Sequence, residues 1–372
     1  MNIKKYFKAK YYREIFDFKN HLFRKEALLK INHKVDTSNR LSPLKKNKLN
    51  EIYEILNEND QINKDSMWHS IFGRYHVEFL NYVKNNKNNL KYALDNPRKF
   101  NIFYGFDNNV KVFHDNPSFN FKFKYSVSII DKLISLCESL EILRLDNPEY
   151  HKKRYKNLDI EKLISKIEHK INFKLSFKNP FPGEKGIKTS RGIISDREIQ
   201  AIYQAYKIKK IMDDNKCKIK NVLEFGGGLG RTAYYCYKFG IKNYTLVDLL
   251  VPRICQINYL SRLIDDKKVV SKPKIKDFKK KNIKIVSPEF IFSNKIRFDL
   301  IFNSDSFTEI DYKNQRRYKE YILRNSKIFF SINHEYNHYK VSDFFKTKNL
   351  DQYTRNLYWL KRGYVEEKFK YK

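Results

Sequence analysis

Four of the chain's 11 glycines fall within five positions, Gly226, Gly227, Gly228 and Gly230, directly after the apolar run 221–225 (NVLEF). A buried strand ending in such a cluster must turn sharply and expose backbone amides. It also admits a neighbouring group where a Cβ would otherwise stand. Scarcity sharpens the constraint, because 11 glycines in 372 residues is far below the usual ~7%. Lys, Asn, Ile, Phe and Tyr are inflated in compensation, the drift of an AT-rich genome. Whatever the drift removes elsewhere, this turn keeps.

From Asn221 onward strands and helices alternate. NVLEF is a buried strand followed by the glycine turn and a helix through Phe239. YTLVD (244–248) is a second strand, and Pro252 starts a helix to Ile264. IKIVS (283–287), FDLIFNS (298–304) and KIFFSIN (327–333) supply three more strands, a charged helix follows the fourth, and 358–372 closes as a hairpin. This is the rhythm of an α/β, doubly wound, mostly parallel sheet.

The first part reads differently. Leu49, Ile52, Tyr53 and Leu56 recur at helical spacing, as do apolar residues in 66–94 and 126–145. Asx-Pro breaks fall at 95–97, 115–118 and 146–148, and 103–114 has the pattern of a hairpin turning at Asn108–Asn109. A Pro/Gly-bearing linker (179–192) leads to a capping box, Ser195 to Glu198, that opens a helix to about Met212. The expected division is a mainly helical accessory or cap region over 1–178 and a Rossmann-like domain over 179–372.

The formal net charge of +34 suggests a polyanionic partner. The lysines are scattered rather than gathered on one motif, so drift is preferred and nucleic acid is disfavoured. A basic surface still suits phosphorylated or lipid-linked substrates and peripheral association with a membrane. With 41% apolar residues the chain can build a core. Cys137, Cys217, Cys236 and Cys255 form no C-x-x-C pair, which argues against a disulfide framework or zinc ribbon. With neither a signal-peptide run nor an 18-residue apolar stretch, the chain reads as cytoplasmic.

The turn itself selects among ligands. A Walker A loop needs Lys-Ser/Thr after its last glycine, and a dinucleotide loop needs glycine where Arg231 stands. What is present is Glu224-x-Gly-x-Gly-x-Gly, with Asp248 ending the next strand, where a carboxylate can accept both hydroxyls of a ribose. This resembles the first motifs of class I S-adenosylmethionine-dependent methyltransferases. RGIISDREIQAIYQAYKI, FDLIFNSDSFTEID (298–311) and SINHE (331–335) further resemble a sugar O-methyltransferase family found among bacterial polysaccharide genes, over roughly Pro180 to His338. The resemblance implies S-adenosyl-L-methionine held at Glu224, Gly226, Gly227, Gly228, Gly230, Asp248, Leu249 and Asn303. It also implies methylation of a sugar hydroxyl in a surface polysaccharide or glycan precursor.

A sugar hydroxyl is a poor nucleophile, so a positioned base is expected. Asp305 and Glu309 after the fourth strand, and His334 or Glu335 after the fifth, are the candidates. Asp305 equally suits a helix N-cap. A divalent metal at Asp305 is left open. His334-Glu-Tyr-Asn-His338 matches H-E-x-x-H, but it follows a strand and contains a poor helix interior, so a zinc hydrolase is disfavoured. Lys185, Lys188 and Arg191 could hold a substrate phosphate or be a solvated loop. Two rivals stand beside the sugar enzyme. One is an RNA or DNA methyltransferase, although Asn303-Ser-Asp-Ser306 lacks the prolines of the amino-methylating motif. The other is a non-catalytic scaffold for glycan assembly.

Overall fold

A computed structural model describes residues 35–37, 41–58, 66–107, 119–145, 158–217 and 220–372. The expected breaks at 115–118 and 146–148, and the turn at Asn108–Asn109, lie outside these residues. So does the basic amino-terminal stretch. Residues 103–106, the first arm of the expected hairpin, form turns rather than a strand. The described residues fall into two compact units, one of 35–36, 119–145, 158–177 and 185–199, the other of 37, 41–58, 66–107, 178–184, 200–217 and 220–372.

The first unit contains the helices Phe119–Ser139 and Ile160–Ile171 and the strands β2 (Lys185–Thr189) and β3 (Gly192–Ile194); with β1 (Val35–Thr37) they form a small sheet in the order β1-β2-β3. Asp159 caps the second helix by accepting from the Lys162 amide, and Asn172 ends it in the left-handed conformation. The segment expected as a linker is therefore an antiparallel hairpin, with Ile187 opposite Ile194. Its glycine is a packing requirement: a Cβ on Gly186 would lie 2.2 Å from the Ile194 carbonyl oxygen. Arg191 is held by the carboxylates of Glu161 and Glu168, so it braces the hairpin against the helix. That contact draws Arg191 away from the expected phosphate role.

The second unit carries eight strands. They are β4 (Asn221–Phe225), β5 (Asn243–Val247), β6 (Val269–Val270), β7 (Ile283–Val286), β8 (Leu300–Ser304), β9 (Ile328–His334), β10 (Leu350–Leu357) and β11 (Tyr364–Tyr371). Their order is β10-β11-β9-β8-β4-β5-β7-β6. The run from β9 to β6 is parallel, and β11 pairs antiparallel with both β9 and β10. This is the doubly wound, mostly parallel arrangement expected of a Rossmann-like sheet, preceded by mainly helical sequence. Every residue of β4 and β5 is buried, as expected of strands covered on both faces. The closing hairpin begins earlier than its sequence suggests. The polar, exposed β10 carries no clear alternation, so only β11 was visible in the pattern.

The same unit includes helices Lys46–Ile55, Met67–Ile71, Val77–Val83 and Lys87–Asp95, with a π-helical turn at Phe72–His76. Arg231, the first residue of the helix after the glycine turn, is buried and ion-paired to both Asp107 and Glu184. Its guanidinium lies 5.2 Å from the Tyr259 ring centroid. Among the described residues no helix is long and apolar enough to cross a membrane.

Candidate active site

The chain moves outward from β4 in one direction through β5 and β7, and returns on the other side through β8 and β9. The switch point therefore lies between β4 and β8, and open α/β sheets bind ligands beyond the carboxyl ends of the strands at that point. The loops after β4, β5, β8 and β9 meet this condition.

After β4 the chain enters the left-handed region at Gly226, with φ 67°, and its amide donates to the Val247 carbonyl at 3.0 Å. A Cβ here would lie 2.2 Å from Ser306 Oγ, and one on Gly227 would lie 2.4 Å from Leu246 Cδ2. These two glycines thus serve the protein's own packing. Gly228 and Gly230 also take positive φ, and the Gly230 amide closes the turn on the Gly227 carbonyl at 2.9 Å. Among the described residues, the amides of Gly227, Gly228 and Leu229 donate to no acceptor. Three successive open N–H groups ahead of a helix favour an anionic or polar ligand.

Asp248 stands at the end of β5 beside this turn. Its Oδ1 accepts from the Leu249 amide at 2.9 Å, and its Oδ2 accepts from Gln256 Nε2 at 2.8 Å. Gln256 Nε2 also donates to the Gly228 carbonyl at 3.0 Å. The side chain therefore links carboxylate and turn.

Two expected ligand contacts are placed differently. Glu224 is buried beneath the turn, where its carboxyl accepts from Tyr244 Oη at 2.9 Å and crowds Gly227. Burial pushes its pKa up to about 8, with the Asp248 charge adding to the rise and the Tyr244 hydrogen bond opposing it. Near neutral pH it is an uncharged support for the turn. Asn303 is fully buried and used internally. Its Nδ2 donates to the Phe225 carbonyl at 2.9 Å, and its Oδ1 accepts from the Phe307 amide at 3.0 Å and Asn333 Nδ2 at 2.8 Å. It fastens the ends of β4, β8 and β9 together.

Beyond β8, Asp305 takes a left-handed φ of 55°. Its Oδ1 accepts from Tyr364 Oη at 2.5 Å and its Oδ2 from Lys361 Nζ at 3.0 Å. Lys361 also donates to Tyr364 Oη at 2.6 Å. Asp305 is therefore held by side chains rather than acting as a helix cap. Asp305, Glu309 and His334 bring one potential ligand atom each within 4.8 Å of one another. Two carboxylates and an imidazole suit a divalent transition metal, but the Lys361 ammonium already balances Asp305. His334 Nδ1 accepts from the Tyr336 amide at 3.3 Å, which leaves Nε2 carrying the proton in the neutral ring. Glu335 turns away, forming two hydrogen bonds with Arg355 at 2.7 and 3.0 Å. No helix follows His334 before Val341, so His334 and His338 do not share a helical face as zinc-hydrolase chemistry requires.

Sequence reasoning missed Gln256, Lys361 and Tyr364. The available signal for the first was its place on the helix after β5, eight residues beyond Asp248. For the others the signal is the turn Arg362-Gly363, which sets Tyr364 directly opposite His334.

No family model matches the sequence, and no curated protein matches it. Among solved structures, a candidate RNA methyltransferase from Pyrococcus horikoshii is similar over 45% of this chain and 83% of its own, with 14% identity and a TM-score of 0.31. The methyltransferase domain of a bacterial Hen1 (CtHen1) is similar over 45% of this chain and 99% of its own, with 12% identity and a TM-score of 0.30. The glycopeptide N-methyltransferase MtfA, solved with sinefungin, is similar over 41% of this chain and 61% of its own, with 14% identity and a TM-score of 0.27.

Proposed function

We propose that the chain is an S-adenosylmethionine-dependent O-methyltransferase whose acceptor is a sugar hydroxyl. One observation carries the donor part. Three open amides at Gly227–Leu229 lie next to a strand-ending carboxylate, Asp248, at the switch point of the sheet. The amides suit the donor's carboxylate end, and Asp248 suits its ribose hydroxyls. Bound there, S-adenosylmethionine would supply a methyl group already activated by its sulfonium.

The chain's own residues then have two tasks: to align the acceptor hydroxyl and to take its proton. Asp305 is the carboxylate we assign to the second, because it follows β8 beside Glu309 and His334, whereas Glu335 turns away to Arg355. A carboxylate suffices, since an alcohol oxygen becomes strongly acidic as it gains the methyl group. Lys361 and Tyr364 hold Asp305 in one orientation, the condition for an in-line approach. The sugar acceptor rests on the sequence resemblance, and the polar cluster at 305, 361 and 364 is compatible with a hydroxyl-rich ligand.

The test is incubation of the protein with labelled methyl donor and, separately, glycan extracts, nucleotide sugars and RNA. Label in a sugar fraction that survives mild base supports an O-methylated sugar. Label in RNA alone would replace the acceptor, and no label in any fraction together with no donor binding would remove the enzyme reading.

A further inference from the structure

The residue that connects the two halves of the donor cradle was not among those the glycine motif suggests. Gln256 sits on the helix Leu250–Leu263 and is fully buried. Its Nε2 donates to both the Gly228 carbonyl at 3.0 Å and Asp248 Oδ2 at 2.8 Å. These two acceptors fix the amide's orientation. Reversing it would place Oε1 against a carbonyl and a carboxylate oxygen with no proton between them. Its Oε1 is buried and has no hydrogen-bond partner among the described residues. Buried acceptors are rarely left so, and an incoming hydroxyl or N–H is the kind of group that would complete it.

We propose that Gln256 is a positioning residue for the donor's ribose, resting on the donor reading above. It locks the Asp248 carboxylate to the glycine turn before ligand arrives. The cradle for the ribose and the amides for the rest of the donor are then set in one register, and less ordering is left to binding. The ligand class recognised through this link is a ribosyl group with free 2′ and 3′ hydroxyls.

The test is calorimetric binding of S-adenosylhomocysteine and its 2′-deoxy and 3′-deoxy analogues to the full chain and two variants. Gln256→Met keeps length and volume in the buried site, while Gln256→Glu sets a second carboxylate against Asp248. The parent chain should bind S-adenosylhomocysteine and lose roughly tenfold or more with at least one deoxy analogue. Gln256→Met should bind the full ligand about 10- to 100-fold more weakly and discriminate little between ligand and analogue. Gln256→Glu should be at least as weak at neutral pH. A merely structural role would lower the melting temperature but leave the ratio between ligand and analogue unchanged. Retention of that ratio in the folded Met variant would overturn the proposal while leaving the donor reading intact. Failure of the parent chain to bind S-adenosylhomocysteine would overturn both.

Discussion

On the β4–β5 side of the switch point the groups proposed for the donor are backbone amides within three consecutive residues, joined by one carboxylate on the next strand. On the β8–β9 side they are side chains. Asp305 meets Lys361 across 56 positions and Tyr364 across 59. The first construction leaves little room for substitution, because Gly226 and Gly227 admit no Cβ and Gly228 takes a positive φ. The second can be retuned one residue at a time. A fixed donor and a variable acceptor would call for this division of material.

The sharpest way to break the comparison is Asp305→Asn, which should lower kcat by about 10²- to 10⁴-fold with donor affinity unchanged. A comparable loss of donor binding in calorimetry would show that the two sides are not separate. Next in size, Asp248→Ala should weaken S-adenosylhomocysteine about 10- to 100-fold, the loss expected for charged hydrogen bonds, while folding persists by circular dichroism. Equal binding by both proteins would contradict the ribose assignment.

Glu224→Gln separates support from contact. Glu224 has a carboxyl whose folded pKa, about 8, exceeds its usual 4.5. Below pH 4.5 both folded and unfolded chains hold the proton. Between about 4.5 and 8 only the unfolded chain releases it, so this group's contribution to stability falls as pH rises, and above 8 the loss is constant. The glutamine variant should therefore gain on the parent by a few kcal/mol across that window, with donor affinity little changed. Denaturant melts from pH 4.5 to 8.5 measure it, and a stability difference that does not grow with pH would place the ionised carboxylate in the native state. The smallest effect belongs to Glu335→Gln. A partly exposed pair with Arg355 contributes about 0–1 kcal/mol, so melting and turnover should both stay within a fewfold. A large loss of turnover would restore Glu335 as a base.

The same contrast explains what could be read from sequence. The glycine turn and Asp248 are local signals on two neighbouring strands, and five parallel strands announced themselves through short apolar runs. The hairpin β2–β3 did not, because Gly186 and Gly192 look like linker glycines until their close contacts are seen. Glu224 and Asn303 were placed on the correct strands, but a strand residue shows its face only when its neighbours are known. Both point into protein. Lys361 was invisible as a partner for Asp305, since nothing in the spacing of 56 residues marks a return of the chain to the same point.

The Arg231 pairing has a further consequence. A cation at the foot of the glycine turn is neutralised in part by a carboxylate 124 positions earlier, at Asp107. Losing one partner of such a buried pair costs about 3–5 kcal/mol, and here the cost would fall on the helix that frames the open amides. A fragment beginning at the sheet domain's apparent boundary would keep all eight strands of the larger sheet and still have a damaged turn. Removing the chain through Asp107 should thus show first as lost donor affinity in calorimetry, before the sheet itself unfolds by circular dichroism. The domain's independence ends where that charge must be answered.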